Sequence, residues 1–256
     1  MGACESVGRC LEPCAPCLCS WMTNCDGRVV WRSERRVASV ALTIDDVPRE
    51  NLTMHELFSL LQLLKTHNAR ATFFVIWSAA RKWSGNLQQM VKLLTEEEFG
   101  HEIGVHFDGR WGCTVSDAAI CQEACEAMHA LQRLANCTPK YARMPGGFSR
   151  RSTVTALENL GLTVVNGTAY PFDVDLCKGL PPDRLGRCAA NLAVGGGRIA
   201  ILHDRDDLMP KVAAFLDQAR ANRRRVVRLD ELLDSIEPAS ERRRLRATAP
   251  LPALEL

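Results

Sequence analysis

"VASVALTIDDVP", Val37 to Pro48, is an apolar, β-branched run that ends in two adjacent carboxylates, Asp45 and Asp46. Its first part has the composition of a strand buried on both faces, as strands of a parallel sheet are. Two neighbouring carboxylates repel each other and desolvate poorly, so at the end of such a strand they require a cation or water beside them. The plainer alternative is a solvated turn before Pro48.

Outward from this run, short β-branched segments alternate with amphipathic ones nearly to Ile236. The further strand candidates are Arg70 to Trp77, His101 to His106, Tyr141 to Pro145, Leu162 to Ala169, Arg198 to His203 and Arg225 to Leu229, which makes seven with the first. Leu57, Leu60, Leu61 and Leu64 form one helical stripe between them, and Leu87, Met90, Val91 and Leu94 another. Ser116 is placed to cap a helix running through Leu134, Ser152 to start one that stops at Gly161, and Pro181-Pro182 to open a third. "MPKVAAFLDQARAN" and "DELLDSI" supply the last two helices. Alternation of this kind means a parallel sheet with crossover helices. Seven such strands suggest a barrel lacking one stave, and an open doubly wound sheet would give the same string. The reading adopted is a one-domain α/β fold, a seven-stranded parallel (β/α)7 distorted barrel.

With 256 residues, 46% of them hydrophobic and 24% charged, the chain can bury one sizeable core. Its formal charge of +2 gives no reason to expect nucleic acid as a partner. Of twelve cysteines, six fall in the first 25 residues, and the others sit at no metal-site spacing and are expected as small buried hydrophobes. Residues 1–35 therefore read as a Cys-rich tail, 36–238 as the folded domain and 239–256 as a disordered tail. Glu5, Arg9 and Glu12 with Pro13 and Pro16 argue against a secretory signal, and no run reaches membrane-spanning length, so a cytoplasmic location is expected. "MGACES" fits N-myristoylation at Gly2, with Cys4 available for a second acyl chain. It reads either as a membrane anchor or as part of an inert tail.

Polar residues gather where the predicted strands end: Asp45 and Asp46, His106, Arg143, Asp173 and Asp175, and His203 with Asp204. In barrels and open α/β sheets that edge carries the active site. A carboxylate and an imidazole there can bind a divalent metal, while a second carboxylate acts as base on water.

These residues, in this order, resemble the polysaccharide deacetylase family, whose members remove acetyl groups from chitin, chitooligosaccharides or peptidoglycan. "TIDDVP" is similar to the family's T-F-D-D-G-P, "ATFFVIW" to A-T-F-F-V-x-G, "GHEIGVH" to G-H-E-I-G-N-H, "RMPGG" to R-x-P-x-G and "ILHD" to L-L-H-D; the resemblance spans Val37 to Ile236. It implies a metal-dependent hydrolase acting on N-acetylated glycans. Asp45 would be the general base, Arg143 its ion-pair partner, and His203 the acid that protonates the leaving amine. Asp46 and His106 would bind the divalent metal, expected to be zinc. Leu202 would shape the pocket for the acetyl methyl, with Tyr170, Pro145 and Gly146 as further substrate contacts.

Where the family has a second metal histidine, four residues after the first, this chain has Arg110, and a guanidinium cannot ligate a metal. Asp108 is taken as the substitute third ligand. Two alternatives stay open: a catalytically impaired carbohydrate-binding homologue, and an intracellular amide or imide hydrolase.

Overall fold

The computed structural model describes residues 28–33, 37–83, 85–108, 115–174, 177 and 179–234. The acylation reading of Gly2 and Cys4, residues 1–27 of the Cys-rich tail, the C-terminal tail, Arg110 and Asp175 lie outside the described residues, whereas residues 28–33 of that tail are described, with Val29 buried in the core and Val30 and Arg32 bridging to Val165 and Arg198. Among the described residues, no helix is long and apolar enough to cross a membrane.

The elements run β1 (Ser39–Val47), α1 (Met54–Thr66), β2 (Ala71–Ile76), α2 (Trp77–Ala80), α3 (Leu87–Thr95), β3 (Glu102–His106), α4 (Asp117–Ala135), β4 (Tyr141–Arg143), a 3-10 turn (Pro145–Gly147) and α5 (Arg151–Asn159). They continue with β5 (Thr163–Val164), α6 (Pro182–Leu192), β6 (Ile199–His203), α7 (Leu208–Ala221), β7 (Arg225–Val227) and α8 (Leu229–Asp234). All seven predicted strands are present. They hydrogen-bond in the order β5-β4-β3-β2-β1-β6, every pair parallel, and β7 pairs with the first three residues of β1. A single bridge between Ala169 and Ala200 links the chain beyond β5 to β6.

Period-two alternation in β1 sorts its side chains. Val40, Leu42 and Ile44 join the helical leucines Leu57, Leu60, Leu61 and Leu64 in the outer core. Ala41 faces the opposite way, among Phe74, Tyr141, Val165, Val227 and the α8 residues Leu229 and Leu232. Thr43 and Asp45 share that inner face, and both accept hydrogen bonds from Arg143 on β4, at 2.7 and 2.6 Å. In a flat sheet β1 and β4, three strands apart, would be separated by roughly 14 Å. The contact requires the sheet to curl, which selects the distorted barrel over the doubly wound alternative.

Local chemistry explains most element boundaries. Thr53 and Glu56 form a reciprocal capping box at the start of α1, and the Ser116 hydroxyl accepts the Ala119 N–H at the start of α4. The expectation for α5 needs correction: Arg150, not Ser152, is its N-cap, and no side chain caps it. The fifth strand is also shorter than the predicted Leu162 to Ala169. After Val164 the chain changes partners: Val165 bridges to Val30, Asn166 N–H donates to the Val30 carbonyl, and Ala169 moves to β6. Of the body cysteines described, only Cys188 is buried; Cys121, Cys125, Cys137 and Cys177 are partly buried.

His101 locks the edge of β2 from below. Its Nδ1 accepts the Ala71 N–H at 3.1 Å, its ring stacks on Phe99, and burial plus the charges of Arg228 and Arg70 push its pKa down to about 3. The neutral ring contributes stability above pH ~6.5, where the unfolded chain is also neutral. That contribution is lost as pH falls toward 3, by up to about 1.4 kcal/mol per unit, because only the unfolded state takes the proton. His101→Gln keeps an acceptor without a titrating ring, so its stability deficit at pH 7 should shrink by pH 4. Urea unfolding at both pH values reads this, and a constant deficit contradicts it.

Candidate active site

Successive side chains of a strand point to opposite faces, so Asp45 and Asp46 would ordinarily separate. Two local features bring them together. Asp46 has φ 63°, a left-handed conformation uncommon for a non-glycine residue, and the β1–β2 register shifts between Ile44 and Val47. The shift acts as a bulge that re-aims one side chain. Val47, where the resembled motif has glycine, is buried in the outer core instead of crowding the site.

Arg143 is 2% exposed and fixes Asp45. Its Nη1 donates to Asp45 Oδ1 and Thr43 Oγ1, its Nε to the Val165 carbonyl, and its Nη2 to the Asn166 carbonyl. The guanidinium also lies 4.2 Å from the centre of the Phe74 ring, a cation–π arrangement. Phe74 has room because residue 104 is glycine: a Cβ there would approach the ring to 2.6 Å. Gly104→Ala should therefore destabilise by about 1–3 kcal/mol and loosen the Arg143–Asp45 pair. A thermal shift indistinguishable from the parent protein would refute the tight fit.

On β3, His106 Nδ1 lies 2.6 Å from the Arg143 carbonyl. The carbonyl can only accept, so Nδ1 donates and Nε2 is the nitrogen that faces the carboxylates. Nε2 is 3.3 Å from Asp46 Oδ1 and 4.0 Å from Asp45 Oδ2. Burial opposes charge on both partners. The mutual hydrogen bond and charges still hold Asp46 below the usual carboxylate range and His106 above the usual imidazole value. An imidazole nitrogen and a carboxylate oxygen sharing a tetrahedral zinc ion would be about 3.3 Å apart, so this donor pair fits the metal that the resemblance implies. Among the described residues no third His, Cys, Asp or Glu completes the group. Asp108, expected as the third ligand, is half-buried just beyond β3 and is not brought into the set. The outer oxygen of Asp46 is held at 2.6 Å by Arg205, which was not singled out in the sequence.

Across the mouth, His203 ends β6 in direct register with Asp45. Its Nδ1 is 2.8 Å from Asp173 Oδ1, and its backbone N–H donates to Asp173 Oδ2 at 3.1 Å. Burial pushes the Asp173 pKa up, but the hydrogen bond and charge of His203, together with Lys211, bring it below the usual range. Tyr170 lies 5.6 Å from the His203 ring and 4.6 Å from that of Phe172. Pro145 is buried in the turn after β4, with exposed Gly146 beside it at φ 60°. A Cβ on Gly146 would meet the Phe148 ring at 3.2 Å. Phe148, just outside the resembled "RMPGG" motif, is an exposed aromatic at this rim.

Leu202 needs correction. It is fully buried among the helix-facing residues of the outer core, because alternation along β6 puts Ile201, not Leu202, on the face of His203. Asp204, one residue further, is buried and paired with Arg49 at 2.8 Å, tying the loop after β1 to the loop after β6.

The sequence and fold have relatives. The polysaccharide deacetylase family model matches residues 32–165. A chitooligosaccharide deacetylase from Sinorhizobium fredii is 28% identical over 210 residues, 78% of this chain and 89% of that protein. A chitin deacetylase from Pestalotiopsis sp. is 27% identical over 169 residues, 64% of this chain and 52% of that protein, so the chain spans about half of that relative's length. Among solved structures, a CE4 family pseudoenzyme from Bacillus anthracis superposes with a TM-score of 0.66 at 20% identity, covering 80% of this chain and 68% of that one.

Proposed function

Since the chain belongs to the polysaccharide deacetylase family, we propose that it hydrolyses the acetamide of N-acetylated sugars in a chitooligosaccharide or polysaccharide, releasing acetate and a free amine. The observation that carries this reading is the pair of separately held groups at one sheet edge: buried Asp45 fixed by Arg143, and partly buried His203 fixed by Asp173. A divalent metal, zinc on the chemistry of the donors, would be held by Asp46 Oδ1 and His106 Nε2 and would polarise the acetyl carbonyl and acidify water.

The chain's own residues do the rest. Asp45 Oδ1 is engaged by Arg143, which leaves Oδ2, the oxygen nearer His106, to take the proton from the attacking water. His203 donates Nδ1–H to Asp173, so the second proton of the imidazolium form sits on Nε2 and passes to the departing amine nitrogen as its bond to the carbonyl carbon breaks. Tyr170, Pro145, Gly146 and Phe148 border the sugar, and Ile201 takes the place at the acetyl methyl first given to Leu202.

A second reading, a carbohydrate-binding homologue without turnover, is favoured by Arg205, whose guanidinium opposes a divalent cation at Asp46. Elemental analysis beside acetate release separates the two. Asp46→Ala should lose bound zinc, while Asp45→Asn keeps it and loses hydrolysis. Equal zinc loss in both variants would overturn the division of roles, and zinc-replete parent protein that releases no acetate would favour binding alone.

A further inference from the structure

Lys211 is 1% exposed on α7, a helix whose other buried residues include Leu208, Val212, Phe215 and Leu216. An apolar side chain would suffice for packing there, and a buried ammonium is costly unless it is paired. Its Nζ lies 3.1 Å from Asp173 Oδ2 and 2.7 Å from Asp207 Oδ1. The origin of the side chain is fixed as well: a Cβ on Gly186 of α6 would come within 2.0 Å of the Lys211 carbonyl oxygen, so the two helices touch at this residue. The result is a continuous line from Lys211 Nζ through the Asp173 carboxylate to the His203 ring.

We propose that Lys211 is a positioning residue for the acid step. It holds Asp173 Oδ2 so that Oδ1 keeps the His203 Nδ1–H and Nε2 stays directed at the leaving amine. The inference rests on the deacetylase reading. Removal of the ammonium leaves a buried carboxylate whose Oδ2 keeps the His203 backbone N–H but loses its cation, so it turns more readily from the imidazole and fixes the tautomer less well.

The test exploits the leaving group. Expulsion of a sugar amine needs a proton from His203, whereas 4-nitrophenyl acetate expels a phenolate without one. Lys211→Met should lower kcat on N-acetylated chitooligosaccharides by roughly 10–100-fold, leave KM within about twofold, and change 4-nitrophenyl acetate turnover less than about twofold. An equal loss on both substrates, or none on either, overturns the inference. Lys211→Gln serves if the methionine variant fails to fold. The His203 Nδ1–H proton resonance gives a readout independent of turnover: it should be present in the parent protein and lost in the variant. If the parent protein deacetylates no glycan, the functional reading fails on its own, and an unchanged imidazole resonance in Lys211→Met separately refutes the positioning role.

Discussion

Asp45→Asn should leave a folded protein whose acetate release from N-acetylated oligosaccharides is lower by roughly 10²–10⁴-fold. The amide preserves an oxygen for the Arg143 Nη1 hydrogen bond at 2.6 Å and nearly preserves volume, so the change falls on proton uptake. A neutral amide has no basic oxygen to take a proton from water. The loss should appear in kcat and in kcat/KM alike, because the base acts in the transition state and not in substrate binding. Steady-state assays beside circular dichroism read both halves, and a variant that retained a tenth of the parent's kcat would remove Asp45 from the role of base.

Arg143→Met should be the most damaging single substitution for stability, costing about 3–5 kcal/mol. The guanidinium is buried and bonded to Asp45, Thr43 and two backbone carbonyls. Without it, a 3%-exposed Asp45 carboxylate stays in the barrel interior beside Asp46, offset by the His106 ring 4.0 Å away, which it shares with Asp46. Phe74 also loses its cation–π partner. Denaturant unfolding at neutral pH measures the loss, and a change below about 1 kcal/mol would mean that the pair contributes little. Activity should fall with stability, since the same contact holds Asp45 in place.

Most of this arrangement was legible in the sequence because strand periodicity and strand-end chemistry are both local signals. The seven strands follow from β-branched runs, and the gathering of Asp45, Asp46, His106, Arg143 and His203 at one edge follows from their positions at the ends of those runs. What was not legible depends on backbone geometry or distant partners. Nothing in "TIDDVP" announces that Asp46 is left-handed, yet that conformation puts both carboxylates on one side. Leu202 was misplaced because motif order was followed where simple alternation from His203 points to Ile201. Lys211 has the i, i+4 spacing from Asp207 of an ordinary exposed helix pair, and only the packing of α6 on α7 shows that it is buried against Asp173. The short fifth strand escaped notice because its β-branched run continues past Val164 while its hydrogen-bonding partner changes.

The central claim is that Asp45 and His203 work as base and acid on a bound acetamide. Quantifying acetate and new free amine from N-acetylated chitooligosaccharides and peptidoglycan fragments, with zinc-loaded parent protein, Asp45→Asn and His203→Ala in parallel, tests it most directly. The account predicts equimolar acetate and amine from the parent protein on at least one glycan, with losses of roughly 10²-fold or more in both variants. Zinc-replete parent protein that releases neither product from any of these glycans, or variants that match it, would contradict the account.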